Sequence, residues 1–188
     1  MNRLKQAVLL SELADQLNRR GSWCGETHIQ KATYFLQKLR KVPLGFDFVL
    51  YKHGPFSFDL RDELTAMRAD GFLDLHAQWP YGPSLVPTQR SVELRQDYPK
   101  TLRKYGTDIE FVCESLGDKN VAELEKLATA LYVYFQNELD SERIRAKILH
   151  DLKSHIPFSD ALKAVKEVDA FVELSAQDCP SIADSTPS

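Results

Sequence analysis

The side chains with the most evident chemical capacity are Cys24 and His28, whose spacing would put two metal ligands on one helix face, with His53 and His76 as further imidazoles. A zinc site wants three or four such ligands in defined geometry. Gly25 and an expected helix cap at Thr27 place Cys24 outside the helix that carries His28, so these residues read as ordinary surface or half-buried side chains. For nucleophilic catalysis the candidate is Ser57, after Gly54-Pro55-Phe56, but no glycine-flanked elbow surrounds it. Capping a helix explains Ser57 without chemistry. No G-x-x-x-x-G-K-[ST] loop is present, and the eight scattered glycines form no phosphate cradle. The expectation is therefore a non-enzymatic protein without metal or cofactor.

Charge and cysteine usage narrow the class further. A formal charge of -3, with 27% charged residues of mixed sign, favours solubility and offers no global attraction to nucleic acid. Cys24, Cys113 and Cys179 are odd in number and far apart, giving neither a disulfide framework nor a zinc-ribbon spacing. The N-terminal apolar run AVLL is too short for a signal-peptide core or a membrane span. A cytoplasmic protein with no membrane partner is expected, and nothing in the chain speaks to oligomeric state.

Two regimes must position these residues. Up to about residue 96 the chain mixes helical and alternating patterns; from 97 to 175 it is almost purely helical; 176–188 is small and polar and reads as a disordered tail. In the first regime Leu10, Leu13, Ala14 and Leu17 share a helical face that Gly21 ends. A second helix is expected to open with Thr27 and Gln30 as a capping box and to carry Ile29, Ala32, Leu36 and Leu39. FDFVLY alternates as a strand that His53-Gly54-Pro55 breaks. Ser57 then caps a helix bearing Leu60, Leu64 and Met67 and stopping at Gly71, and FLDLHAQ, PYGP and SLVPTQ form a hairpin. Helix, helix, strand, helix, hairpin is the order of a winged helix. In the second regime Asn120 and Glu123 stand at capping-box spacing before a helix with Val121, Leu124, Leu127, Ala128, Leu131 and Phe135 on one face. Flanking helices are expected near 100–116, 141–152 and 159–174, with Pro157 separating the last two. The fold class is mainly α (α+β): a winged-helix-like N-terminal module with a small β-hairpin, packed against a C-terminal helical bundle.

The run HIQKATYFLQKL, followed by FDFVLYKHGPFSFDLRDELTAMRADGFL, resembles the YwgA-like and Panacea group of bacterial proteins. The shared pattern is a K-x-x-Y-F-L-Q helix, an aromatic strand ending in tyrosine, then G-P-[FVY]-S and a leucine-bearing helix. It falls here on Lys31, Tyr34, Phe35, Leu36 and Gln37, on Phe48 and Tyr51, on Gly54, Pro55, Phe56 and Ser57, and on Leu60 and Leu64. The resemblance covers residues 28 to about 75, and Leu50-Tyr51-Lys52, without the tryptophan usual in Panacea strands, is nearer to YwgA. It implies a winged-helix-like fold from toxin-antitoxin and antiviral defence loci, with a role in neutralising a partner protein. It does not reach the helices after Tyr98.

In a winged helix the third helix usually enters the DNA major groove. Here Asp59, Asp62, Glu63 and Asp70 outnumber Arg61 and Arg68 on that helix, a balance that repels phosphate and suits a basic protein groove. Tyr51, His53 and Phe56 border the turn before it, and Trp79 and Tyr81 lie at the hairpin tip, where aromatic side chains are favoured contact residues. The expected partner-binding set is Tyr51, His53, Phe56, Asp59, Asp62, Glu63, Trp79 and Tyr81, facing a toxin or defence effector. The alternative is a DNA-binding regulator using Arg19, Arg20, Lys38, Arg40 and Lys41 around the first two helices.

Overall fold

A computed structural model describes residues 1–77, 82–137 and 140–177. It is mainly helical. The elements in order are α1 (Arg3–Arg19), α2 (Glu26–Lys38), β1 (Val49–Tyr51), β2 (Gly54–Phe56), α3 (Phe58–Ala69), β3 (Leu73–His76), β4 (Ser84–Pro87), α4 (Gln89–Asp97), α5 (Pro99–Leu116), α6 (Val121–Gln136), α7 (Glu142–Leu152) and α8 (Phe158–Gln177). No described helix is long and apolar enough to cross a membrane.

Local signals account for several of the helix ends. Asn2 caps α1 by accepting from the Lys5 N–H, and the helix stops at Gly21, which takes a left-handed φ of +77°. Ser57 caps α3, accepting from the Leu60 N–H at 3.2 Å, and Leu60, Leu64 and Met67 are buried beneath it. Asn120 and Glu123 form the reciprocal capping box expected at the start of α6. Ser141 is the N-cap residue of α7, and Pro157 lies between α7 and α8.

The centre of the molecule is α2. All nine residues from His28 to Leu36 are buried, among them Gln30, Lys31 and Thr33. It packs against α1, α3, α5, α6 and β2, and a continuous apolar core runs from Ala7 in α1 to Val168 in α8. The first and second sequence regimes thus share one core.

Several expectations need correction. The α2 helix starts at Glu26 with Gly25 as N-cap and no side-chain cap, because Gln30, the expected capping-box partner of Thr27, is drawn instead to the backbone of Ser57. Burial alternates from Phe46 to Tyr51, with the odd-numbered positions exposed, but only Val49–Tyr51 pairs as a strand. The backbone of Phe46 is instead engaged by the Gln37 amide. The strand ends at Tyr51, before His53 as expected, but Gly54, Pro55 and Phe56 then form a return strand, in the register Val49↔Phe56 and Tyr51↔Gly54. The β3–β4 hairpin forms as expected, Leu73 opposite Pro87, and makes a second two-stranded sheet separate from the first. Helix α4 was not anticipated; Thr88, expected in the hairpin, caps it by accepting from the Ser91 N–H. Helix α8 extends from Phe158 to Gln177, beyond the expected 159–174, while 178–188 lies outside the described residues.

Gly54 is needed where β2 meets α6. Its φ is +84°, and a Cβ there would come within 3.0 Å of Thr129 Oγ1 and 3.7 Å of Lys31 Cε. Gly45 has a similar φ of +82° with open space around it. Gly54→Ala should therefore destabilise the fold by about 1–3 kcal/mol, and Gly45→Ala by only about 1 kcal/mol, in urea unfolding curves.

Candidate functional site

The segment from Phe46 to Ser57 is short and poor in regular pairing, so its backbone needs partners from elsewhere. Helix α2 supplies three. Gln30 and Gln37, two helical turns apart, each use their amide as a strand edge would. Gln30 donates to the Ser57 carbonyl at 2.8 Å and accepts from the Ser57 N–H at 2.9 Å. Gln37 donates to the Phe46 carbonyl at 2.6 Å and accepts from the Phe46 N–H at 2.9 Å. Between them Lys31 Nζ donates to the Pro55 carbonyl at 2.9 Å. Both ends of the segment and its turn are thereby tied to one helix.

A second cation holds the turn itself. Lys153, the C-cap residue of α7, donates to the carbonyls of Tyr51, at 2.7 Å, and Lys52. Lys31 and Lys153 are both buried, and the nearby carboxylate is Glu125 on α6, itself buried. Glu125 Oε1 lies 3.7 Å from Lys153 Nζ, and its two oxygens lie 3.3 Å from His155 Nε2 and His53 Nδ1. Burial dominates the electrostatics of Lys31, pushing its pKa down to about 8; Glu125 opposes that shift and Lys153 reinforces it. Sequence reasoning missed this arrangement. Its one legible signal was the set of polar Gln30, Lys31 and Gln37 beside the apolar face of the helix; Glu125 and Lys153 carry no local signal.

With its backbone pinned, the turn presents its side chains outward. Tyr51 is 57% exposed, Phe58 44% and Val49 50%. The rings of Tyr51, Phe56 and Phe58 form a mutual cluster with centroids 5.1–5.8 Å apart, and the Arg61 guanidinium lies over Phe58 at 5.3 Å. His53 sits at the edge of this patch, exposed on one side and bonded to Glu125 on the other.

The acidic helix is only partly available. Glu63 pairs with Arg3 at 3.0 Å and Asp70 with the same arginine at 2.6 Å, so both are turned toward α1. Asp59 and Asp62 remain outward, Asp62 beside Arg61 at 3.1 Å. Trp79 and Tyr81 lie outside the described residues. The basic set is largely occupied: Arg19 pairs with Asp15, Arg20 approaches Glu114 at 3.6 Å, Arg40 pairs with Asp108 at 2.9 Å, and Lys41 lies over the Phe135 ring. Lys38 is exposed at the end of α2.

Ser57 Oγ is buried as a cap. Cys24 and Cys113 are buried free thiols whose pKa values burial pushes up to about 12, far from the thiolate that nucleophilic or metal chemistry uses. Among the described residues no group of three His, Cys, Asp or Glu side chains is placed to hold a metal ion.

The lowered pKa of Lys31 has a stability consequence. Between about pH 8 and 10.5 the unfolded chain keeps a proton that the folded chain has lost, so this lysine's contribution to stability rises with pH across that window. The slope is at most about 1.4 kcal/mol per pH unit. Urea unfolding of wild type and Lys31→Met at several pH values in that window should show a more positive slope of stability against pH in the wild type than in the variant, because the raised thiol pKa values of Cys24 and Cys113 lower stability alike in both.

No known family model matches the chain, and no curated protein matches it.

Proposed function

We propose that the chain is a non-enzymatic protein-binding module, antitoxin-like or an accessory of a defence locus, built on a winged-helix-like arrangement of its first three helices and β3–β4. The observation that carries this reading is the cluster of Tyr51, Phe56 and Phe58, held open to solvent on a backbone that buried lysines and glutamines immobilise. Exposed aromatic side chains on a rigid support lose little freedom on binding and are favoured hot spots. Asp59 and Asp62 border the cluster and would meet cations of a partner, steering a basic surface onto the aromatic rings. The resemblance to YwgA-like and Panacea proteins through Lys31, Tyr34, Gln37, Gly54, Pro55 and Ser57 supports the same role, since most of those residues build the support for the patch.

This reading is favoured over a DNA-binding regulator because Arg19, Arg20 and Arg40 are engaged with carboxylates of α1 and α5. A phosphate backbone would have to compete with those pairs.

Co-expression with the product of the neighbouring gene, followed by affinity capture, should recover a complex. In that complex Tyr51→Ala with Phe58→Ala should weaken affinity by at least about tenfold, a change of about 1.4 kcal/mol. Asp59→Lys with Asp62→Lys should weaken it and reduce its salt sensitivity. Recovery of no complex, or of one indifferent to both pairs of substitutions, would remove the reading.

A further inference from the structure

On the far side of Arg61 from Phe58 lies a cleft of about 1040 Å³, bounded by the α1–α2 loop, α3, the β3–β4 hairpin and the α5–α6 loop. Its size is that of a ligand pocket. Three features of its lining are unsatisfied, and they are of three different chemical kinds.

The first is the start of α2. Gly25 provides no side-chain cap, and a Cβ there would meet the Trp23 ring at 3.1 Å, so a capping side chain at this position would collide with Trp23. Among the described residues no side chain caps the N–H groups of the first turn, which stand at the positive end of a 13-residue helix. Arg68 adds a cation and makes no ion pair among the described residues, whereas Arg61 is beside Asp62 and Lys119 is beside Glu167.

The second is His28, which lines the cleft, is 3% exposed, and leaves Nδ1 without a hydrogen-bond partner among the described residues. Burial lowers its pKa and a hydrogen bond with the Lys119 backbone raises it. A bond that favours the protonated ring is one in which the ring donates to the carbonyl. The neutral ring therefore keeps Nδ1 as a buried lone pair in want of a donor, a costly state unless a ligand supplies an N–H or O–H.

The third is an apolar wall. Leu75 and Val121, 40% and 45% exposed, face the cleft with Leu64 behind them.

An acceptor of one negative charge, an acceptor of a hydrogen bond, and an apolar surface together describe the end of a polypeptide. We propose that the cleft receives the C-terminal residue of a partner protein, its carboxylate on the first turn of α2 and Arg68, its amide N–H on His28 Nδ1, and its apolar side chain against Leu75 and Val121. A single charge fits better than a phosphate dianion, because Glu26 and Asp118 also line the cleft and the formal sum with Arg61, Arg68 and Lys119 is only +1, three cations less two carboxylates. Capture of a terminal carboxylate by backbone N–H groups is a recurring recognition mode. The inference stands apart from the Tyr51 surface, although Arg61 borders both.

The test is a titration of the ¹⁵N-labelled full chain with N-acetylleucine, N-acetylleucinamide, the peptide acetyl-Ala-Ala-Leu with a free carboxylate, and inorganic phosphate. N-acetylleucine and the peptide should shift the amides of Glu26, Thr27 and His28 saturably, the amide should bind at least about tenfold more weakly, and Arg68→Ala should weaken the acids by a similar factor. Tyr51→Ala should leave this binding unchanged, which separates it from the protein-docking surface. Equal binding of acid and amide, tighter binding of phosphate, shifts confined to other segments, no saturable shift at all, or binding of N-acetylleucine but not of the peptide would each overturn the proposal.

Discussion

Two buried ammonium groups that donate to backbone carbonyls hold the rest of this molecule in place. Lys31 and Lys153 donate to different carbonyls of the Tyr51–Ser57 segment, and Glu125 balances part of their charge. Removing a charge from water is costly, and the opposing carboxylate alone would not offset it. What makes the arrangement tolerable is that Tyr51, Lys52 and Pro55 belong to a hairpin of only two strands, whose turn and outer edges offer few backbone donors to its carbonyls. Each lysine satisfies them while its methylene stem fills apolar space. The turn and the cations are thus each other's solution. This also accounts for part of the confinement of Gly54, since Lys31 must come close to the chain for its bond to Pro55 to form.

From this constraint the position of the outward patch follows. A hairpin of three residues per strand has little stability of its own. Here its backbone is fixed at Phe46 by Gln37, at Ser57 by Gln30 and in the middle by the lysines, so the Val49, Tyr51 and Phe56 side chains are displayed on a support that does not depend on their burial. Phe58 belongs to the same display because the cap at Ser57 sets the first turn of α3 against β2.

How far this was legible in the sequence depended on where the determining interaction lay along the chain. Ser57, Asn120 and Gly21 act within three or four residues of themselves, and the helix starts and stop they mark are where the pattern put them. The apolar spacing of Leu60, Leu64 and Met67 likewise translated directly into a buried face. Expectations failed where a local signal competed with a distant one. Thr27 and Gln30 have capping-box spacing, but the two-bond clasp of Gln30 on Ser57 lies 27 residues away and takes precedence. The alternation from Phe46 to Tyr51 is matched by alternating burial, yet strand pairing depends on a partner strand that exists only opposite Val49–Tyr51. Glu63 looked like part of an acidic face until Arg3, 60 residues earlier, was brought against it. Charge counted along a helix says nothing of ion pairs made across the fold.

The same reasoning links the two candidate surfaces. Helix α3 separates them, with Phe58 on the aromatic side and Leu64 and Arg68 on the cleft side, and Arg61 reaches from one to the other. Because the start of α3 is fixed by Ser57, and Ser57 is fixed by Gln30, both surfaces take their position from α2, whose own first turn forms the floor of the cleft. A partner that engaged the aromatic cluster with its folded body and the cleft with its chain end would therefore meet a single rigid element at two points. The second contact would then form as an effectively intramolecular event, gaining affinity without any new ordering of this chain.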